Sequence, residues 1–463
     1  MSTPSVPMPS IDELKSAFRG DLIQASDPAY DAARKLYNAM IDKRPALIAR
    51  CADVADVIAA VKFGASQGLL TAIRGGGHNG AGLASCDGGL VIDLSRLKGI
   101  RVNPAARTVR VEGGCVWGDV DHATHAFGMA TPCGFISTTG VAGLTLGGGI
   151  GYLTRRYGLT IDNLLSVDLV LADGSLVTAS AEEHPDLFWA VRGGGGNFGV
   201  VTSFEFRLHP VGMVHFGPTF WALEEAATVL RAYRRYILDA PEDVNGFFAF
   251  LVVPPVPMFP EALHHRTVCG IVWCCTGTAE QAEAGTRSMR SVGTPLLDAV
   301  GPAPFPVVQS MFDGLYPPGL QWYWRADNFT ELTDDAIARH IEHGSRLPSM
   351  FSTMHLYPVN GAAQRVGRNH TAYSFREALF AEVIVGVDPD PANAGVIADW
   401  CKSYWAALHP YSAGGAYVNF MMEEGQDRVQ ATYRDNYPRL AAIKKQYDPH
   451  NFFRVNQNIK PAE

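Results

Sequence analysis

Of the chain's 47 glycines, 26 fall between Arg74 and Gly199, so that more than half of them sit in 27% of its 463 residues. Glycine concentrated among well-patterned strands means either close backbone approach to something bulky or many positive-φ turns. The rest of the composition bounds what that something can be. With 47% apolar and 18% charged residues the chain has material for one large or two ordinary domains with a real core. A net charge of −8 with no basic stripe excludes a protein that grips nucleic acid through its phosphates, and also a polybasic membrane anchor.

Residues 1–18 hold three prolines and three charges and lack an apolar leader core, which predicts a cytoplasmic protein. The longest charge-free stretch, Ala126 to Thr154, exceeds the roughly 20 residues a membrane helix needs. Its eight glycines, with Thr131, Ser137, Thr138, Thr139 and Thr145, predict buried backbone instead. Eight cysteines without a CxxC pair or a zinc spacing read as reduced core residues, and no metal site is expected.

Hydrophobic patterning predicts helix Ala32–Met40, strand Ala46–Arg50, helix Val54–Gly68 and strand Thr71–Arg74. Strands Leu90–Leu94 and Thr108–Glu112, helix Trp117–Phe127, a hairpin over 163–178 turning at Asp173-Gly174, and strand Val200–Leu208 follow. From Gly212 the order helix, strand, strand, helix occurs twice: Leu223–Leu238, Phe247–Val253, Thr267–Cys275, Ala279–Ser291, then Asp334–Leu347, Thr353–Pro358, Glu377–Val387, Pro391–Ala407. That repetition predicts one antiparallel sheet with helices on one face.

GxGxxG occurs at Gly75 to Gly80 and at Gly194 to Gly199, and Asp93 follows the first at 18 positions. A dinucleotide-fold turn must open a helix. Here the first run continues through Asp87-Gly88-Gly89 into a strand, and the second enters Val200-Val201-Thr202 directly. The glycines therefore predict strand-end loops whose backbone N–H groups form an anion-binding concavity, with 140–151 as a second wall poor in side chains.

Ile73-Arg74-Gly75-Gly76-Gly77-His78-Asn79-Gly80, Thr139-Gly140-Val141-Ala142-Gly143, Gly147-Gly148-Gly149-Ile150-Gly151, the run from Arg156 to Asn163, the run from Phe188 to Gly195, and Tyr447-Asp448-Pro449-His450-Asn451-Phe452-Phe453-Arg454 with Asn456 and Asn458 resemble the berberine-bridge-enzyme-like oxidases of the vanillyl-alcohol-oxidase superfamily. The motifs run in order over essentially the whole chain. The resemblance implies an α+β fold: a PCMH-type FAD-binding domain of two α/β subdomains (1–211), a substrate domain with an antiparallel sheet covered by helices (212–408), and a segment (409–463) returning to the first. It implies FAD as cofactor, hydride transfer from a CH–OH or CH–N carbon of a small organic substrate, and O2 as electron acceptor giving H2O2. A dehydrogenase with another acceptor, or a flavin-binding protein without turnover, is the alternative.

By the same resemblance the cofactor-binding positions are Arg74, Gly75, Gly76, Gly77, His78, Asn79, Gly80, Thr139, Gly140, Gly143, Gly147, Gly148, Gly151, Val200, Val201, Asn456 and Asn458, with His78 the covalent attachment point. The position of a second, cysteinyl link is Ile136 here; Cys133 lies three residues out of register, so a single covalent bond is expected. Tyrosines that some members carry at the places of Gly80 and Ile150 are absent. The Tyr-x-Asn motif survives as Tyr417-Val418-Asn419, expected on a strand, with Tyr417 a candidate base if a cation lowers its pKa. Trp322, Tyr323, Trp324, His355 and Tyr357 are candidates for the substrate wall, and the aromatic character of the middle region favours an apolar ring compound over an oligosaccharide.

Overall fold

The computed structural model describes residues 11–463, so the reading of the first eighteen residues falls partly outside the described ones. Three sheets organise the chain. The first has the order Asp21–Ile23, Leu47–Arg50, Leu90–Asp93, Thr71–Arg74, and its last three strands are parallel. Helix Val54–Ser66, capped by the Asp53 carboxylate accepting from the Asp56 N–H, buries Val57, Ala60 and Val61 in the core that holds these strands. The expected helix Ala32–Met40 is only Tyr30–Ala33. Tertiary bonds override propensity there: buried Asn38 donates to the carbonyls of Gly80 and Trp322 and accepts from the Trp322 and Met40 N–H groups.

The second sheet is wholly antiparallel, in the order Ile100–Asn103, Thr108–Glu112, Val200–Arg207, Leu164–Val170, Leu176–Ser180. Its last two strands form the expected hairpin, with Gly174 at φ 80°. Strand Ile100–Asn103 escaped the sequence reading, since it is short and half-exposed on alternate residues. The charge-free stretch is buried backbone, but part of it is helical, Val141–Gly147, where the sequence reading had only a glycine wall. Among the described residues no helix is long and apolar enough to cross a membrane.

The third sheet is antiparallel and runs Met213–Ala222, Thr267–Cys275, Val244–Val252, Thr353–Pro358, Phe380–Asp388, Gln321–Phe329, with short strands at the first edge. The duplicated unit is therefore strand, helix, strand, strand, helix. Its first strand was missed both times: Gly217 and Pro218 break the pattern in Met213–Ala222, and Gln321–Phe329 reads as an aromatic run. Period-two alternation divides the sheet. Phe248, Phe250, Met354, Leu356 and Ile384 pack under the helices, while Phe247, Tyr357, Val383, Val385, Trp322 and Trp324 face the core shared with the second sheet.

Candidate active site

A cavity of about 340 Å³ is lined by residues of all three sheets and of the C-terminal segment, and no Lys, Arg, Asp or Glu side chain reaches its wall. Part of the wall is glycine. The loop after Thr71–Arg74 crosses the loop before helix Val141–Gly147 with backbone on backbone: a Cβ on Gly76 would lie 2.5 Å from the Gly140 Cα. At Gly143 and Gly196 an added Cβ meets nothing within 4 Å, so their missing side chains hold cavity space open.

The C-terminal motif works behind this wall. Buried Lys444 donates to the Asp448 carboxylate (2.6 Å) and to the carbonyls of Asn197 (2.6 Å) and Phe453 (2.9 Å), while Asp448 accepts from the Phe452 and Phe453 N–H groups. Asn197 in turn donates to the Gly194 and Gln457 carbonyls and accepts from the Ile459 N–H. The tail is thereby laid along the 193–199 glycine loop, bringing Val455, Asn456 and Gln457 to the wall.

His78 lines the cavity with its ring stacked on Tyr37 (centroids 3.7 Å apart, 22°). Its Nε2 pairs with Thr138 Oγ1 at 3.0 Å, and its Nδ1 has no hydrogen-bond partner among the described residues. Burial lowers the imidazole pKa to about 4, so the ring is neutral at physiological pH. Cys133 is off the wall, buried, and accepts from Gln309 Nε2 at 2.8 Å; Ile136 is on it.

Tyr417 precedes a single 3-10 turn, Val418–Phe420, and is not on a strand. Its hydroxyl oxygen accepts from the Gly149 N–H (2.8 Å) and from Asn419 Nδ2 (2.6 Å). The amide orientation is fixed because Nδ2 also donates to the Leu144 carbonyl at 3.0 Å. No cation faces this hydroxyl, and burial pushes its pKa up to about 12, the hydrogen bonds opposing. The cation that the base role expected for Tyr417 calls for is not found beside it among the described residues, and the hydroxyl's own proton has no acceptor there.

Trp322, Trp324, His355 and Tyr357 line the wall with Thr353, Tyr316, Phe135 and Phe420. Tyr323 does not: strand alternation turns it to the helical face, near Arg325 and Lys402. Of the expected cofactor positions, Gly75, Gly76, Gly77, His78, Asn79, Thr139, Gly140, Gly143, Val201 and Asn456 are on the wall.

Seven expected positions are not on the wall. Arg74 and Asp93 are consumed by one another (3.2 Å). Gly80 is covered by Trp324, Gly147 by Asn419 and Gly148 by Tyr373, and Gly151 abuts the Cys133 carbonyl. Val200 packs in the first sheet's core, and Asn458 lies behind the tail, its carbonyl accepting from Gln426. Thr138, Thr353, Asn197 and Lys444 were missed, since their partners are distant in sequence, and Tyr433, since only the fold brings its unpartnered hydroxyl to the wall. No His, Cys, Asp and Glu cluster fit for a metal occurs among the described residues.

Residues 45–180 match the family described as FAD binding domain, and 416–460 the one described as berberine and berberine like. An FAD-linked oxidoreductase of Dictyostelium discoideum is 30% identical over 459 residues, covering 98% of this chain and 97% of that one. The (R)-6-hydroxynicotine oxidase of Paenarthrobacter nicotinovorans is 29% identical, with 96% and 97% covered. Among solved structures, 6-hydroxy-D-nicotine oxidase from Arthrobacter nicotinovorans superposes with a TM-score of 0.86 at 26% identity, over 99% of this chain and 100% of that one.

Proposed function

Because the chain belongs to the berberine-like family of FAD-linked oxidoreductases, we propose that its cavity holds FAD tied covalently to His78 and oxidises a CH–OH or CH–N carbon of an uncharged ring compound. The observation that carries this reading is one continuous, charge-free cavity lined together by glycine loops, His78 and an aromatic wall. The residues present fit the cofactor. Asn456 Oδ1 and the Tyr433 hydroxyl are buried on the wall without partners, and the open space at Gly143 and Gly196 is what a bulky ligand would fill. With no cation on the wall, a pyrophosphate there would be held by backbone N–H groups and neutral donors.

When bound, the flavin supplies hydride acceptance at the substrate carbon and reoxidation by dioxygen to hydrogen peroxide. The chain supplies the rest. Thr138, paired with Nε2 of His78, leaves Nδ1 as the ring nitrogen open for attachment. Cys133, buried and bonded to Gln309, takes no part, so the link is single. Tyr417, held by Gly149 and Asn419, offers its O–H to an electron-rich atom in the cavity.

Relatives in this family include a hydroxynicotine oxidase and a xylooligosaccharide oxidase, so kinship alone does not choose a substrate. The wall chooses. A buried ammonium would have no counter-ion, whereas the Trp322 and Trp324 N–H groups, both buried and unpartnered, suit carbonyl or hydroxyl oxygens on a ring. The test is anaerobic flavin bleaching by a panel of neutral ring alcohols, sugars and amines, with peroxide release compared against dye reduction. Bleaching by the ring alcohols with peroxide release is expected; no bleaching by any compound contradicts the reading.

A further inference from the structure

Strand Thr353–Pro358 places Thr353, His355 and Tyr357 on the cavity face at two-residue spacing, and the hydrogen bonds joining them run in only one direction. Thr353 Oγ1 donates its single proton to the Phe250 carbonyl at 2.7 Å. It cannot also donate to His355 Nε2, 3.0 Å away, so that nitrogen carries the ring hydrogen and Thr353 accepts it. Burial lowers the His355 pKa to about 3, which keeps the ring neutral with Nδ1 bare. Nδ1 therefore accepts from the Tyr357 hydroxyl at 2.5 Å. Tyr357 is left presenting lone pairs, the opposite of Tyr417, whose oxygen accepts from the protein and whose proton is free.

We propose that Tyr357 is the catalytic base of this site, with His355 receiving its proton and Thr353 the positioning residue that fixes the imidazole tautomer. The proposal rests on the oxidase reading above. The substrate O–H bond breaks and its proton passes to the Tyr357 oxygen as the Tyr357 proton moves to Nδ1. The C–H bond breaks with its electron pair, which leaves as hydride to the flavin; the carbon is oxidised by two electrons to a carbonyl and the flavin reduced by two. The imidazolium releases its proton to solvent when product leaves.

A lone buried phenol would be a poor base, since burial holds the Tyr357 pKa well above its ordinary value. Coupling to a neutral imidazole removes the need for a free phenolate. The charge left on His355 would be uncompensated in the resting site, where the titratable groups coupled to Tyr357 besides His355 are the tyrosines Tyr316 and Tyr152, and burial alone shifts His355. Hydride transfer places negative charge across the same low-dielectric cavity and offsets it.

The probe is 4-nitrophenol, a neutral ring hydroxyl whose ionisation is visible, titrated against flavin-loaded protein. In the wild type the bound probe is expected to ionise about one pH unit below its value in Tyr357→Phe and in His355→Asn, which keeps an acceptor for Tyr357 but cannot take the proton. Thr353→Ser should retain the wild-type value and Thr353→Val should lose part of the shift. Flavin absorbance verifies that each variant is folded. Equal ionisation in wild type, Tyr357→Phe and His355→Asn, or no saturable binding, overturns the proposal. Failure of the oxidase reading looks different: the probe shift stands and no hydroxyl compound bleaches the flavin.

Discussion

Gly80 and Trp324 compete for one volume: a Cβ on Gly80 would lie 2.2 Å from Cε2 of the Trp324 indole. Some family members carry a tyrosine at the place of Gly80, and here the indole from the third sheet occupies that space instead. Gly80→Ala should therefore destabilise the protein by about 1–3 kcal/mol, as overpacking does. Trp324→Ala should recover most of that loss, with a coupling of about 0.5–3 kcal/mol in a thermal-unfolding double-mutant cycle. Additive effects would mean that the two residues do not share the space.

Gly196 and Gly143 face open cavity and have no positive φ, so a side chain there enters the cofactor space without backbone strain. Gly196→Leu and Gly143→Leu should fold yet purify with less than about a tenth of the wild-type flavin, a tenfold loss being only about 1.4 kcal/mol of lost binding. The ratio of absorbance at 450 nm to that at 280 nm checks this.

Tyr417→Phe removes the acceptor of the Gly149 N–H, costing about 1–3 kcal/mol of stability for a buried unsatisfied donor. With Tyr417 a donor and Tyr357 the base, as proposed, the slower variant should keep the wild-type pH profile of flavin reduction. Tyr357→Phe should instead lower the reduction rate by about 10²–10⁴ and change the profile.

Asp121 is buried against Gln309, and burial pushes its pKa up to about 8 from 3.8. A raised carboxyl pKa makes the folded state bind the proton more tightly. Its contribution is thus fully present below 3.8 and lost as pH rises to about 8. The stability advantage of Asp121→Asn over wild type should grow through that window, by at most about 1.4 kcal/mol per pH unit, and level off above it. Parallel melting curves from pH 5 to 9 check the sign.

Much of the fold was legible because its signals are local. The 163–178 hairpin announces itself by alternation around Asp173-Gly174, and helix Val54–Ser66 by its apolar repeat. What failed depends on partners distant in sequence. Helix Ala32–Met40 gives way because Asn38 is bonded to Gly80 and Trp322, more than 40 and 280 residues away. Arg74 sits in the glycine motif yet is consumed by Asp93 across parallel strands. The direction of the Thr353–His355–Tyr357 chain follows from the Phe250 carbonyl on a neighbouring strand, which no motif encodes.

The central claim, a flavin held in this cavity by a bond to His78, is tested most directly by acid precipitation of the purified protein. The account predicts a yellow pellet absorbing near 450 nm for wild type and Cys133→Ala, and a colourless pellet with free FAD in the supernatant for His78→Ala. A colourless wild-type pellet, or a His78→Ala pellet that stays yellow, would contradict it.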